Sequence, residues 1–191
     1  MGIEAINPFE LPLLNTVILL SSGKLKCHKW ENVLKIKNIT TKLKDLYKRS
    51  ESNPEKVIDR DLYKLMCNID ILKLAYEKLK SNPGQMTPGE GTHPETLDGM
   101  SESVLKAIID KLKTEEFDFQ PGRRVQIPKA SGGNRPLTVT SPRDKLVQEA
   151  MRMILEAIYE PTFHDTSHGF RPQRSCHTAL KAIKQQFQAV N

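Results

Sequence analysis

The chain has 191 residues, room for one globular domain or two small ones, since domains commonly run to roughly 100 to 200 residues. Its 29 Lys and Arg against 23 Asp and Glu leave +6 at neutral pH and a pI near 9.2, a balance that favours polyanionic partners over cationic ones. Cys27, Cys67 and Cys176 form no CxxC pair, which excludes a zinc ribbon and a disulfide framework and fits a reducing compartment. The charge falls in blocks: fifteen bases against eight acids over 24–83, three against eight over 84–120, eleven against five over 121–191. A solvated helical surface can produce such blocks as well as a nucleic-acid face can.

Residues 1–23 carry two acids and no base. Leu11 to Leu20 is apolar apart from Pro12, Asn15 and Thr16, half of the about 20 residues that a membrane span requires, so stable membrane insertion is not expected. No base precedes the run, and no Arg-rich amphipathic stretch opens the chain, so neither a secretory signal nor a mitochondrial transit peptide is written in the usual form. The stretch from Gly2 through Asn7-Pro8-Phe9-Glu10-Leu11-Pro12 to Ser21-Ser22-Gly23 resembles an internal stretch of cytochrome c oxidase subunit 3 entering a membrane helix. The resemblance stops near Gly23, where a lysine-rich sequence begins that lipid would not tolerate.

From Lys24 the pattern is soluble and helical, with Ile36, Ile39, Leu43, Leu46 and Tyr47 at helical spacing. Asn53-Pro54-Glu55 reads as an N-cap with proline at the first helical position, opening a helix through Val57, Ile58, Leu62, Leu65 and Met66. Another helix is predicted from Ile69 to Lys80, ending in Ser81-Asn82-Pro83-Gly84; the Gly- and Pro-rich stretch to Gly99 is a long loop or lid. Ser101 caps a helix with Val104, Leu105, Ile108, Ile109 and Leu112 on one side.

Then the period changes. Arg123-Arg124-Val125-Gln126-Ile127-Pro128 and Arg135-Pro136-Leu137-Thr138-Val139 read as strands of a hairpin joined by Ala130-Ser131-Gly132-Gly133-Asn134. Ser141-Pro142-Arg143-Asp144 opens a helix with Leu146, Val147, Ala150, Met151, Ile154 and Ile158 on one side, stopping near Pro161. Ser175 caps a last helix bearing Ala179, Leu180, Ile183 and Phe187. The fold class is α+β, mostly helical with one antiparallel hairpin.

Lys129 and Arg135 flank the hairpin loop and, paired in that register, lie opposite each other on one face, with Arg123 six residues before Lys129. Cations converging beside a Gly-Gly turn suit a triphosphate or a nucleic-acid backbone; bases at hairpin ends also serve solubility and edge protection. His164 and His168 lie four apart in a loop bracketed by Pro161 and Gly169, with no third ligand placed, so a zinc site is not expected. Arg171 and Arg174 could set guanidinium groups on a phosphate backbone while Phe170 packs in the core or stacks on a base.

Read together, Arg123-Arg-Val-Gln-Ile-Pro-Lys129, Asn134-Arg-Pro-Leu-Thr138, Ser141-Pro-Arg-Asp-Lys-Leu-Val-Gln-Glu149, Ile158-Tyr-Glu-Pro161 and Ser167-His-Gly-Phe-Arg-Pro-Gln-Arg-Ser-Cys-His177 resemble, in this order, the fingers of group II intron-encoded reverse transcriptases and maturases over about residues 54–188. The resemblance implies that Lys129 and Arg135, with Arg123, contact the triphosphate of an incoming deoxynucleotide. It implies that a lid over Asn82 to Asp98, including Pro88 and Gly89, meets template or acceptor RNA, with Arg143, Arg171 and Arg174 as further RNA contacts. After Gly89 the chain has Glu90-Gly91 where the family usually has Asp-Gly.

The same resemblance divides the chain into an exon-derived segment (1–23), a basic helical N-terminal extension (24–83) and a lid with fingers (84–191), the palm being absent. A complete polymerase holds two divalent ions, Mg2+ in this family, on palm carboxylates. This sequence has no Asp-Asp pair, so no cofactor and no DNA synthesis are expected of the chain alone. Group II introns occur in mitochondrial respiratory genes with reading frames continuous with the upstream exon, so both resemblances fit one mitochondrial, matrix-located product that binds intron and template RNA. The alternatives are a non-catalytic RNA-binding splicing cofactor, a truncated intron reading frame and a fragment acting as a respiratory membrane subunit.

Overall fold

The computed structural model describes residues 27–82, 89 and 100–187, and side chains from residue 38 onward among them. The expectations for residues 1–26, including the Leu11 to Leu20 run, and for the lid apart from Gly89 lie outside the described residues.

The first helix, α1 (Cys27–Ser52), buries Ile39, Leu43 and Leu46, the stripe its spacing predicts. The helix expected from Pro54 does not form. Lys56 N–H instead donates to Asn53 O at 3.1 Å, closing a turn, and Asp61 takes a left-handed backbone (φ 62°), so only α2 (Leu62–Met66) is helical and Val57 is exposed. A 3.6-residue pattern cannot be continued through a left-handed residue, however well its apolar positions are spaced.

α3 (Ile69–Lys80) has the predicted bounds, its N-terminus capped by Asn68, whose side chain accepts from Asp70 N–H at 2.8 Å. α4 (Glu102–Lys113) buries Leu105, Ile108, Ile109 and Leu112; Ser101 holds the N-cap position, but its hydroxyl pairs with that of Ser103 at 2.7 Å and not with the backbone. α5 (Pro142–Tyr159) starts as expected, Ser141 Oγ accepting from Asp144 N–H at 3.2 Å, with proline at the first turn. Its buried face differs from the predicted one: Met153 and Ala157 are inside, whereas Met151 is exposed.

α5 is the central post. α1 and α3 both pack against it, α3 also meets α4, and together they enclose one core with Ile71, Leu72, Leu146, Val147 and Met153 almost wholly buried. Each such side chain contributes roughly 1.5–3 kcal/mol by leaving water. Ser50, buried at the end of α1, donates its hydroxyl to Ile158 O and ties the two helices where both stop. Tyr63 on α2 likewise donates to Leu112 O at the end of α4.

β1 (Arg123–Pro128) and β2 (Asn134–Val139) form a two-stranded antiparallel sheet. The architecture is α+β: helices around one core, with a hairpin between α4 and α5. After α5 come a 3-10 turn (Glu160–Thr162), a loop, and α6 (Cys176–Phe187), capped by Ser175, whose Oγ accepts from Thr178 N–H at 3.4 Å. α6 buries none of its residues: Leu180, Ile183 and Phe187 face solvent. Among the described residues no helix is long and apolar enough to cross a membrane.

Candidate nucleotide and nucleic-acid interface

The hairpin register pairs Arg123 with Val139, Val125 with Leu137, Ile127 with Arg135 and Pro128 with Asn134. Lys129 N–H donates to Gly133 O at 2.9 Å and Gly132 N–H to Lys129 O at 3.1 Å, which makes a tight three-residue turn, Ala130-Ser131-Gly132. Gly132 and Gly133 sit at φ 86° and 77°, a region that side-chain-bearing residues avoid. The expected opposition of Lys129 and Arg135 is therefore corrected: Arg135 stands across from Ile127, and Lys129 across from Gly133.

The physical reason is the short turn, which moves the pairing by two residues. A shift of one would have sent the cations to opposite faces; a shift of two keeps them together. Arg123, Lys129 and Arg135 thus share the face of the pleat, Lys129 and Arg135 as diagonal neighbours whose backbones lie about 7–8 Å apart. All three are exposed, while Val125 and Ile127 between them are half-buried. The arrangement is an apolar strip flanked by cations, open to an anion with several charged oxygens.

The root of the hairpin is held at the start of α5. Asp144, only 2% exposed, accepts a hydrogen bond from Gln120 N–H at 3.0 Å, three residues before β1. Gly89 of the lid lies against the same junction: a Cβ there would stand 2.9 Å from Ser141 Cα and 3.0 Å from Ser141 N. The close approach of two backbones explains the glycine without any ligand. Pro88 lies outside the described residues. Arg143 is half-buried in the first turn of α5.

Arg171 and Arg174 organise the loop they sit in. The Arg171 side chain, 8% exposed, donates through Nε to Glu160 Oε1 at 2.9 Å and through Nη1 to the carbonyls of His164 and Ser167, each at 3.0 Å; its guanidinium lies 5.2 Å from the Phe163 ring centre. Arg174 donates to the carbonyls of Asp165 and Ser167. His168 Nδ1 pairs with Thr178 Oγ1 at 2.9 Å, fixing the loop to α6, and His164 Nδ1 pairs with Thr166 Oγ1 at 2.8 Å. Of the two readings of Phe170, packing in the core is corrected: the ring is fully exposed, at φ 56°, on the outside of the loop.

A basic surface that the motifs did not single out lies along α1. A groove of ≈490 Å³ between α1 and α2 includes Lys42, Arg49, Arg60 and Lys64 against Asp45 and Asp61, and a second of ≈310 Å³ includes Lys48, Arg49 and Lys56. Its only signal in sequence was the excess of bases over 24–83; which of them converge depends on the turn at Asn53. Lys64 is tied to Asp61 at 2.8 Å, which holds the Asp61 carboxyl below its ordinary value and the Lys64 amine above.

Between α3 and α5, Lys78 is pushed down by burial, with Arg152 adding to the effect, and Arg152 itself is bound by Glu149 at 2.7 Å and Glu156 at 3.1 Å. That cluster braces two packed helices. Among the described residues no group of three or more His, Cys, Asp or Glu side chains could hold a metal ion. The described residues do not fit the Mg2+ pair of a complete polymerase.

The family model for cytochrome c oxidase subunit III matches residues 1–44, past Gly23 and into α1. The chain is 62% identical over 148 residues, 77% of its length and 18% of the relative's, to an uncharacterized 91 kDa protein in a cob intron of Schizosaccharomyces pombe. It is 43% identical over 193 residues, 100% of its length and 22% of the relative's, to a putative COX1/OXI3 intron 2 protein of Saccharomyces cerevisiae. To the group II intron-encoded protein LtrA of Lactococcus lactis it is 49% identical over 146 residues, 76% of its length and 24% of the relative's. The chain therefore spans about a fifth of the length of the curated relatives it matches. It is a homologue of group II intron-encoded proteins, with a match to cytochrome c oxidase subunit III at its amino end.

Proposed function

We propose that this chain is the amino-terminal and fingers portion of a group II intron reverse transcriptase and maturase, in which the β1–β2 hairpin meets the triphosphate of an incoming deoxynucleotide. The observation that carries this reading is the hairpin register: Arg123, Lys129 and Arg135 stand exposed on one face beside a turn with two left-handed glycines. Guanidinium and ammonium groups so placed make charge-assisted hydrogen bonds to phosphate oxygens. The basic grooves along α1 are assigned to intron or template RNA, whose phosphates they neutralise. Pro88 and Gly89 of the lid are assigned to template or acceptor RNA, with Arg143 and Arg174 as further RNA contacts. Arg171, with its donors on Glu160 and two carbonyls, serves that surface by shaping it.

DNA synthesis is assigned to a longer protein that supplies palm carboxylates and Mg2+. A mitochondrial site of action is supported by the subunit III match at the amino end and by relatives named for cob and COX1 introns, and within it we assign the chain to the matrix. The test is RNA binding by the 191-residue chain as salt is raised. Counterion release predicts an affinity that falls steeply between low and moderate salt. An affinity that does not change makes the basic surface a solvated face, and primer extension by this chain alone contradicts the assignment of synthesis to the longer protein.

A further inference from the structure

We propose that Asp144 is a positioning residue for the hairpin: its carboxylate joins the root of β1 to the first turn of α5, into which β2 runs through Thr140, and so sets where Lys129 and Arg135 stand. The proposal rests on the reading that these cations meet a triphosphate, but the tie itself is testable without it.

Asp144 is buried to 2% exposure, a costly place for a carboxylate unless it is well paired. It occupies the third position of α5, where an acidic side chain is favoured by the helix dipole. An acidic side chain there commonly folds back to the N-cap amide. Asp144 instead reaches across 24 residues to Gln120 N–H at 3.0 Å. The N-terminal capping duty is met separately, by Ser141 Oγ on Asp144 N–H at 3.2 Å.

Gln120 lies three residues before β1, and Thr140 directly follows β2, so one side chain closes the base of the hairpin from within a rigid helix. Strands β1 and β2 make their extensive contacts with each other. The orientation of the ribbon is therefore decided at its root, where a small rotation is magnified at Lys129, nine residues along the chain from Gln120. Gly89 packs on Ser141 at the same place.

The experiment uses the full 191-residue chain as wild type, Asp144→Ala and Asp144→Asn, the last of which keeps an oxygen acceptor without the charge. Amide hydrogen exchange at Gln120 reads the tie, and titration with tripolyphosphate, followed at the amides of Lys129 and Arg135, reads the consequence. Gln120 exchanges at least about tenfold more slowly in wild type than in Asp144→Ala, and Asp144→Asn restores most of the protection. Tripolyphosphate affinity falls about tenfold in Asp144→Ala and recovers in Asp144→Asn, a rescue that a purely structural loss would not single out. Asp144→Leu, which fills the same space with no acceptor, repeats the comparison where Asp144→Ala unfolds.

Equal Gln120 exchange in wild type and the folded acceptor-free variant overturns the proposal, as does full tripolyphosphate affinity in that variant. If wild type itself gives no response at Lys129 and Arg135, the nucleotide reading fails. The exchange arm then decides the tie alone: protection that needs the acceptor supports it, and indifference to the acceptor overturns it.

Discussion

The helical core and the part of the chain that carries the exposed cations are built on opposite terms. Among the described residues, α1, α3, α4 and α5 bury eighteen apolar side chains between them, and the charged Arg152 at the edge of that core is paired with Glu149 and Glu156. In the hairpin, by contrast, five of the six residues of β2 are exposed, and its cations form no ion pair with a carboxylate of the described residues. Stability is concentrated in one region and unused charge in the other. Substitutions should therefore separate the two properties, with core changes costing stability and hairpin changes costing ligand.

The largest effect is expected where a buried charge pair is broken. Arg171 and Glu160 are 8% and 11% exposed, and Arg171→Ala leaves Glu160 and two carbonyls without their donor, at a cost of about 3–5 kcal/mol if the loop cannot relax. Chemical denaturation measures it; a loss confined to the 160–175 loop, with global unfolding unchanged, would show that this loop is a separate unit from the core. Leu146→Ala, in the middle of the core, should cost about 2–5 kcal/mol and lower the denaturation midpoint of the whole described module in one transition. Ser141→Ala removes a helix cap worth about 1 kcal/mol.

The smallest stability effects belong to the hairpin and to exposed charges. Lys129→Ala and Arg135→Ala should each change stability by less than about 0.5 kcal/mol, since both are exposed and their strand positions need no cation. A larger loss would mean that the hairpin is part of the core after all. Glu102 is held below its ordinary value first by its hydrogen bond to Lys73, at 3.0 Å, and then by Lys106. A carboxyl with a lowered folded pKa stabilises above its unfolded pKa and loses that contribution as pH falls through the folded one. Glu102→Gln should thus slightly flatten the acid limb of the stability profile and leave neutral-pH ligand binding as it was.

The same division governs what could be read from sequence. Helices whose apolar stripe coincides with a local cap, α3 and α5, were legible almost to the residue, because Asn68 and Ser141 state their starts chemically. The Asn53-Pro54 signal misled because the left-handed Asp61 beyond it decides the matter, and nothing local in a base-rich stretch announces that. The hairpin and the face of its cations were legible from two strands and a Gly-Gly turn, yet the register was not, since turn geometry and not symmetry of spacing sets it. Core packing was one of the two roles read for Phe170; its exposure, on a left-handed backbone in the loop that Arg171 and Arg174 brace, is not written in local spacing. The Asp144 to Gln120 tie joins residues 24 apart and left no trace in any local pattern.

The central claim, that the hairpin cations serve a triphosphate while other basic residues serve RNA, is tested most directly by titrating the chain in parallel with a deoxynucleoside triphosphate and with single-stranded RNA, as wild type, Lys129→Ala and Arg135→Ala. Charge-assisted hydrogen bonds of roughly 1.5–3 kcal/mol predict a loss of about 10- to 150-fold in triphosphate affinity for each variant, with RNA affinity nearly unchanged. Two variants that weaken RNA binding and leave triphosphate binding intact would make the hairpin a backbone-binding element and contradict the account.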